Sequence, residues 1–312
     1  VRYPLNIRLI CWRVWVKTTK VFVKMTIHEA LLEAQAALAQ LVEANEAKLE
    51  AQLLMQHVLN VNWAWLIAHA NDALQPDIHA DFESLLNRRL LGEPIAYILG
   101  YREFYGLKLK TTPDTLIPRP DTETLVEVAL AKTSPFQAEK ILDLGTGTGA
   151  IALAIASNRT GTQVTAVDAS QAALNIAVEN AENLNISNIH FILSDWFAAL
   201  NNEKFDVIVS NPPYIEQSDA HLNQGDLRFE PMSALASGQD GLDDIRKIID
   251  NCLVYLKPQG WLMLEHGYHQ AEQVADLMAQ IGLTHIETIK DLGGNDRVTI
   301  GKNPLIVSTH WD

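Results

Sequence analysis

From residue 140 to residue 301 short apolar runs alternate with longer stretches of helical spacing, the pattern of a doubly wound α/β sheet. The spacing predicts strands at 140–144, 163–168, 189–193, 205–210, 261–265, 284–290 and 297–301, with helices between them. The clearest of these helices starts at Ser170, a good N-cap, and carries Ala172, Ala173, Ile176, Ala177 and Ala181 along one face. In such sheets ligands bind outside the carboxyl ends of the strands. Gly145, Asp168, Asp195 and Asn211 are therefore expected along one edge.

The chain before this region has another rhythm. Thr26 and Glu29 have capping-box spacing, and Leu31, Ala34, Leu38, Leu41 and Val42 can share one helical face. A second helix is expected over 46–58 with Leu49, Leu53, Leu54 and Val58 buried, and a third over 77–91. Trp63 and Trp65 read as packing rather than as a base-stacking platform, because no Lys or Arg is interleaved with them. Residues 101–110, with Gly106 at a turn, suggest a hairpin. In the Ile-Pro-Arg-Pro-Asp run at 117–121, two prolines hold Arg119 extended and Asp121 can cap the helix that follows. That run reads either as a rigid linker or as a device placing Arg119 at the mouth of a pocket. The expected organisation is a basic extension at 1–24, a helical domain at 25–96, a hairpin and linker at 97–120, a large α/β domain at 121–302 and a tail at 303–312.

Composition narrows the classes of function. A chain of 312 residues, 48% hydrophobic, has enough material for a large core. Its net charge of −14 argues against broad attraction to nucleic acid, which needs Lys and Arg against phosphates. No apolar run reaches the roughly 18 to 20 residues of a membrane span. Two cysteines, Cys11 and Cys252, offer neither a disulfide framework nor metal-ligand spacing, so a reducing, cytoplasmic setting without a bound metal is expected. The first 24 residues hold Arg2, Arg8, Arg13, Lys17, Lys20 and Lys24 and no acid. An upstream extension before a start at Met25 is favoured there over a targeting peptide, since there is no long apolar centre and no small-residue cleavage pattern.

The glycine cluster Gly145-Thr146-Gly147-Thr148-Gly149 is one residue short of the dinucleotide fingerprint. Glycines there permit a tight turn and close approach of backbone to a ligand, and a lone cluster fits a nucleotide, S-adenosylmethionine or a bare strand-to-helix turn. Asp168, about 20 residues on, stands where a ribose-binding acid falls in dinucleotide folds. Its other reading is a charge at a helix N-terminus, disfavoured because Ser170 already caps that helix. Asp195 can accept from an exocyclic amine, and Trp196 offers a flat apolar face to adenine, although a core tryptophan would look the same.

Asn211-Pro212-Pro213-Tyr214 ends the run 205–210. A side-chain amide, a carbonyl whose residue has no N–H and an aromatic ring can together grip a planar nitrogen and aim it at an electrophile, which points to methyl transfer. His266 reads as a proton acceptor or, more commonly for a strand-end histidine, as a structural group. Arg228, Phe229 and Glu230 read as a flap over the substrate or as an ordinary surface loop. Residues 293–296 look like a turn.

These motifs together resemble the HemK-type family of peptide-chain release factor glutamine methyltransferases. The resemblance runs from about Thr26 to Lys302 and rests on the segments 99–104, 117–123, 143–149, 211–215, 228–231, 264–267 and 295–299. It implies a seven-stranded class I S-adenosylmethionine-dependent methyltransferase fold behind a small helical domain that holds the release factor. It also implies transfer of a methyl group from S-adenosyl-L-methionine to the glutamine amide nitrogen of a class I release factor's Gly-Gly-Gln motif. Cofactor contacts carry over onto Gly145, Thr146, Gly147, Thr148, Gly149, Asp168, Trp196 and Asn211, and the substrate grip onto Asn211, Pro212, Pro213 and Tyr214. The expected enzyme is a monomer with no stable nucleic-acid partner. Two other readings compete: a nucleic-acid amino methyltransferase of the adenine N6 type, and a non-catalytic module that binds an adenosyl ligand.

Overall fold

The computed structural model describes residues 25–201 and 203–305, so the basic stretch 1–24, including Cys11, and residues 306–312 of the tail lie outside it. The chain divides into two compact units between Glu83 and Ser84.

The first unit is helical. Helix α1 (Ile27–Leu38) begins with the expected capping box: Glu29 N–H donates to Thr26 Oγ1 at 3.2 Å, and Thr26 N–H donates to Glu29 Oε2 at 2.8 Å. Helix α2 (Ala44–Leu59) packs on α1, and α3 (Trp63–Ala68) and α4 (Pro76–Leu90) follow, the unit boundary falling within α4. The buried faces differ in part from the expected ones. Ile27, Ala30, Ala34 and Leu38 are buried on α1, which stops before Leu41, and Ala47, Ala51, Leu54 and Met55 are buried on α2. Leu49, expected in the core, is 55% exposed. Ala34, Leu38 and Leu54 are buried as expected, while Ala30, Ala47 and Ala51 take buried positions that a reading weighted towards leucine passes over. Trp63, expected to pack, is exposed, while Trp65 stacks on His69 with ring centroids 4.0 Å apart.

After the end of α4 the second unit continues with α5 (Ile95–Leu99) and the hairpin β1 (Tyr101–Phe104) and β2 (Leu107–Lys110), whose turn places Tyr105 and Gly106 at positive φ. A 3-10 turn over Pro120–Thr122 leads into α6 (Glu123–Lys132). Asp121 does not cap this helix: Pro120 opens the turn, so Asp121 lies inside it, and its carboxylate stands 3.3 Å from Arg297 Nη2.

The α/β region then runs β3 (Lys140–Leu144), α7 (Ala150–Asn158), β4 (Gln163–Asp168), α8 (Gln171–Asn183), β5 (Ile189–Leu193), β6 (Phe205–Ser210), α9 (Asp243–Tyr255), β7 (Leu256–Glu265), α10 (Ala271–Gln280), β8 (Thr284–Lys290) and β9 (Asp296–Lys302). The seven strands form one sheet in the order β5-β4-β3-β6-β7-β9-β8, parallel except for antiparallel β9. Strand β7 starts earlier than expected, because Leu256 already pairs with Phe205 before an irregularity passes the register to Val207 and Trp261.

Side chains alternate along β3, so Ile141 joins the core under α6 and α7, whereas Leu142 and Leu144 join the one under α9 and α10. Both faces are covered, as a parallel sheet requires. Ser170 caps α8 as expected, its hydroxyl accepting from Ala173 N–H at 3.2 Å. Asn180, buried on α8, accepts from Lys110 N–H at 2.7 Å and donates through Nδ2 to the carbonyls of Lys110 (3.1 Å) and Thr148 (2.9 Å). One amide thus ties the hairpin to the glycine loop.

Candidate active site

The loop after β3 is shaped by three glycines at positive φ: Gly145 at 72°, Gly147 at 56° and Gly149 at 83°. The Gly145 and Thr146 N–H groups both donate to the Val167 carbonyl at 2.9 Å, folding the loop back against β4. A Cβ on Gly145 would meet the Trp196 ring at 3.4 Å, and one on Gly149 would meet Leu153 at 2.9 Å. Thr146 and Thr148 are buried beneath the loop: Thr146 Oγ1 donates to Asp143 Oδ2 at 2.7 Å, and the Thr148 carbonyl accepts from Asn180. Burial pushes the Asp143 carboxyl up to about 7, and among the described residues its Oδ1 has no hydrogen-bond partner.

Asp168, the last residue of β4, accepts Gly147 N–H on Oδ2 and Ser170 N–H on Oδ1, each at 2.8 Å. Burial raises its pKa, and these backbone donors pull it back down. Each oxygen retains a lone pair for an outside donor. Above this floor lies a cavity of about 640 Å³ bordered by Gly145, Gly147, Asp168, Asp195, Trp196, Asn211 and Pro213. Trp196 takes a positive φ of 48° that turns its ring towards Gly145. The expected cluster therefore assembles from the ends of β3, β4, β5 and β6, with Thr146, Thr148 and Gly149 supporting the loop rather than facing the cavity.

A second, smaller cavity of about 70 Å³ is bordered by Arg119, Asn211, Pro212, Pro213 and Tyr214. Asn211 and Pro213 border both cavities. Asn211 Nδ2 donates to Thr122 Oγ1 at 3.1 Å, while among the described residues nothing donates to its Oδ1 or to the Pro212 carbonyl. The Tyr214 hydroxyl donates to Glu265 Oε1 at 3.2 Å, and burial raises the tyrosine's pKa. Glu265, buried at the end of β7, is itself pushed up to about 7 by burial. The Thr122 hydroxyl, the Arg297 charge and the Tyr214 hydroxyl draw it back down.

Arg119 does border the smaller cavity, but its guanidinium is paired with Glu230. The Glu230 side chain is fully buried and also accepts Ile117 N–H at 2.9 Å, so this residue pins the proline-flanked linker instead of riding on a surface loop. His266 is a structural group: Nδ1 faces the Gly267 carbonyl at 2.9 Å and Nε2 faces Thr299 Oγ1 at 2.7 Å, both out of solvent. The Cys252 thiol, pushed to about 12 by burial, has no chemistry to offer. Residues 291–296 form the expected turn, closed by Asp291 N–H donating to the Asn295 carbonyl at 2.9 Å.

Sequence reasoning missed part of the site. Asp114, Thr115 and Leu116 form one side of the larger cavity and Ser233, Ala234 and Ala236 another, and neither stretch carries a motif. Thr122 and Glu265 stood inside recognised segments, yet only the fold shows them beside Asn211 and Tyr214.

This sheet and the glycine-lined cavity at its carboxyl edge define a methyltransferase fold. The catalytic domain of hMettl16 in complex with an RNA hairpin superposes with a TM-score of 0.53 at 14% identity, over 81% of this chain and 92% of that one. A methyltransferase from Pyrococcus furiosus gives 0.50 at 20% identity, over 72% of this chain and all of that one. Residues 120–229 match the methyltransferase small domain, and residues 29–100 match the PrmC N-terminal domain. Proteins named release factor glutamine methyltransferase are 47% identical in Salmonella typhimurium over 266 residues and 46% identical in Escherichia coli over 266, each alignment spanning 85% of this chain and 96% of the relative. The Vibrio cholerae protein of that name is 47% identical over 275 residues, 88% of this chain and 96% of its own length. The chain belongs to the release factor glutamine methyltransferase family.

Proposed function

We propose that this protein transfers the methyl group of S-adenosyl-L-methionine to the side-chain amide nitrogen of the glutamine in the Gly-Gly-Gln motif of class I release factors. The observation that carries this reading is Asn211 at the junction of the two cavities, with its amide nitrogen engaged and its oxygen unengaged.

The larger cavity suits the cofactor. Its volume is in the range of small-molecule sites, roughly 300 to 1,000 Å³. Asp168 has lone pairs left for ribose hydroxyls, Trp196 presents a ring, Asp195 an acceptor, and the glycines leave the backbone bare. When bound, S-adenosylmethionine supplies a sulfonium methyl, an electrophile whose C–S bonding pair stays on sulfur as the methyl leaves.

The residues' task lies with the nucleophile, because an amide lone pair is delocalised into its carbonyl. Asn211 Oδ1 and the Pro212 carbonyl accept the two amide N–H bonds, fix the nitrogen's face and stabilise the positive charge that grows on it as the N–C bond forms. Pro213 and Tyr214 wall the smaller cavity around the amide, and Arg119, held by Glu230, stands at its edge. Orientation of this kind is worth roughly 7 to 11 kcal/mol in good cases, so no strong base is needed, and the proton that the methylated nitrogen sheds to become a neutral secondary amide leaves to solvent. His266, with both ring nitrogens occupied, takes no proton.

The helical residues 25–96 are assigned to holding the release factor, a role supported by the domain match at 29–100 and by the exposure of Trp63 and Ile67, each 55%. The protein is taken to work as a cytoplasmic monomer without a stable nucleic-acid partner. No described helix is long and apolar enough to cross a membrane.

The test offers the purified enzyme and labelled cofactor to a release factor, DNA and ribosomal RNA in parallel, with mass analysis of the Gly-Gly-Gln peptide. One added methyl on the glutamine is expected, and Asn211→Ala should abolish it while cofactor binding persists. Label in nucleic acid alone would overturn the reading.

A further inference from the structure

Tyr214 is held at both ends, and both holds come from the connection between β7 and α10. Its hydroxyl donates to Glu265 Oε1 at 3.2 Å, and its carbonyl accepts from Gln270 Nε2 at 3.0 Å, just before α10 begins. The chain before it has little support of its own. Pro212 and Pro213 carry no N–H, and among the described residues no backbone–backbone hydrogen bond involves Pro212, Pro213 or Tyr214. Such bonds resume at Ile215, whose N–H donates to the Leu235 carbonyl at 3.0 Å.

Gln270 is buried, and both ends of its amide are matched. Oε1 accepts Gly267 N–H at 2.8 Å, while Nε2 donates to the Tyr214 carbonyl and, at 3.2 Å, to the Asp240 carbonyl. Turning the amide over would set its oxygen against two carbonyls and its NH2 against an N–H, so these partners allow one orientation. The junction is also close-packed. A Cβ on Gly241, whose φ is 74°, would lie 2.2 Å from the Tyr214 carbonyl oxygen and 2.7 Å from Gln270 Nε2, so a glycine lets the three chain segments meet.

We propose that Gln270 is the positioning residue of the substrate grip, fixing the Tyr214 backbone and, through it, the Pro212 carbonyl that receives the glutamine amide. The inference rests on the role given to the Asn211–Tyr214 loop above. Prolines at 212 and 213 lock two successive φ angles, so a shift of the Tyr214 carbonyl passes back to the Pro212 carbonyl with little slack. Removing the Gln270 amide strands two buried carbonyls, and the Tyr214 peptide turns to find another donor.

Two substitutions separate positioning from general support of the fold. Gln270→Met keeps an unbranched side chain of similar length and loses all three hydrogen bonds. Asn303→Leu is the control, because Asn303 is also a buried amide whose Nδ2 bridges two carbonyls, those of Leu256 at 3.1 Å and Lys257 at 3.0 Å, but at the opposite end of β7. Turnover of the release factor is counted per cofactor-binding site titrated by calorimetry. Positioning requires kcat of Gln270→Met to fall by roughly 10²-fold, the scale of a small misplacement, with cofactor affinity and the KM for release factor within a few-fold of the parent. Asn303→Leu should lose thermal stability and keep its kcat. An equal fall of kcat in both variants, loss of cofactor affinity in Gln270→Met, or a Gln270→Met enzyme that turns over normally would each overturn the proposal. If Asn211→Ala is inactive while Gln270→Met is normal, only this inference fails; if Asn211→Ala itself turns over normally, the role given to the loop fails with it.

Discussion

Asp168 and Gly147 are joined by a hydrogen bond of 2.8 Å from the glycine N–H to the carboxylate, so the acid ending β4 also holds the loop that leaves β3. Its other oxygen holds Ser170 N–H at the start of α8. Asp168→Ala removes both acceptors at once. We expect cofactor affinity, measured by calorimetry, to fall by at least tenfold and stability by about 1 to 3 kcal/mol, from lost hydrogen bonds with partly buried donors. Asp168→Asn, which keeps one oxygen, should fall between the variant and the parent.

Gly147 and Gly149 both sit at positive φ, but only Gly149 is crowded. Gly147→Ala should cost only the conformational penalty of about 1 kcal/mol. Gly149→Ala adds a Cβ at 2.9 Å from Leu153 and 3.3 Å from Ala177, and should cost about 2 to 4 kcal/mol. Urea denaturation of the two variants, compared at equal m-value, measures the difference.

Glu265 gives a stability profile of definite sign. Its carboxyl rises from 4.5 to about 7 on folding, so between those pH values the native state keeps a proton that the unfolded chain has released. Stability is therefore lost as pH rises through this window, by a total on the order of 3 kcal/mol for this group. Glu265→Gln, which keeps an oxygen for Tyr214, should gain stability relative to the parent from pH 4.5 to 8. Asp143, raised from 3.8 to about 7, works in the same direction, so the slope should shrink without vanishing. Chemical denaturation at a series of pH values reads this directly.

The large domain was legible because each signal there is local and strong. All seven expected strands are present, β7 alone beginning five residues early, and Ser170 caps α8 as its spacing foretold, although among the described residues no helix fills the gaps between β5 and β6 or between β8 and β9. The helical unit was legible in part, since Leu38 and Leu54 are buried as expected, but alanines share its buried faces and hydrophobicity alone does not single them out. In the site, Gly145, Asp168, Asp195, Trp196 and Asn211 come together because each lies at or just past the end of a strand. Thr122, Glu265 and the 114–116 wall were not visible. Their importance comes from contacts across more than fifty residues of chain, such as the one joining Tyr214 to Glu265, and no periodicity encodes those.

The pairing of β3 with β6 carries a last consequence. Leu144 stands opposite Ser210, and the Ser210 hydroxyl donates to the Leu144 carbonyl at 2.7 Å, one residue before Gly145 on one side and Asn211 on the other. In the proposed reaction the wall for the methyl donor and the grip on its recipient thus both leave the same rung of a single ladder. Their separation is a lattice constant of the sheet, roughly 4.8 Å between strands, beyond the reach of loop breathing. A slip of one rung would turn every side chain of β6 to the opposite face and uncouple the two, so alignment of the reaction is inherited from strand register before any ligand arrives.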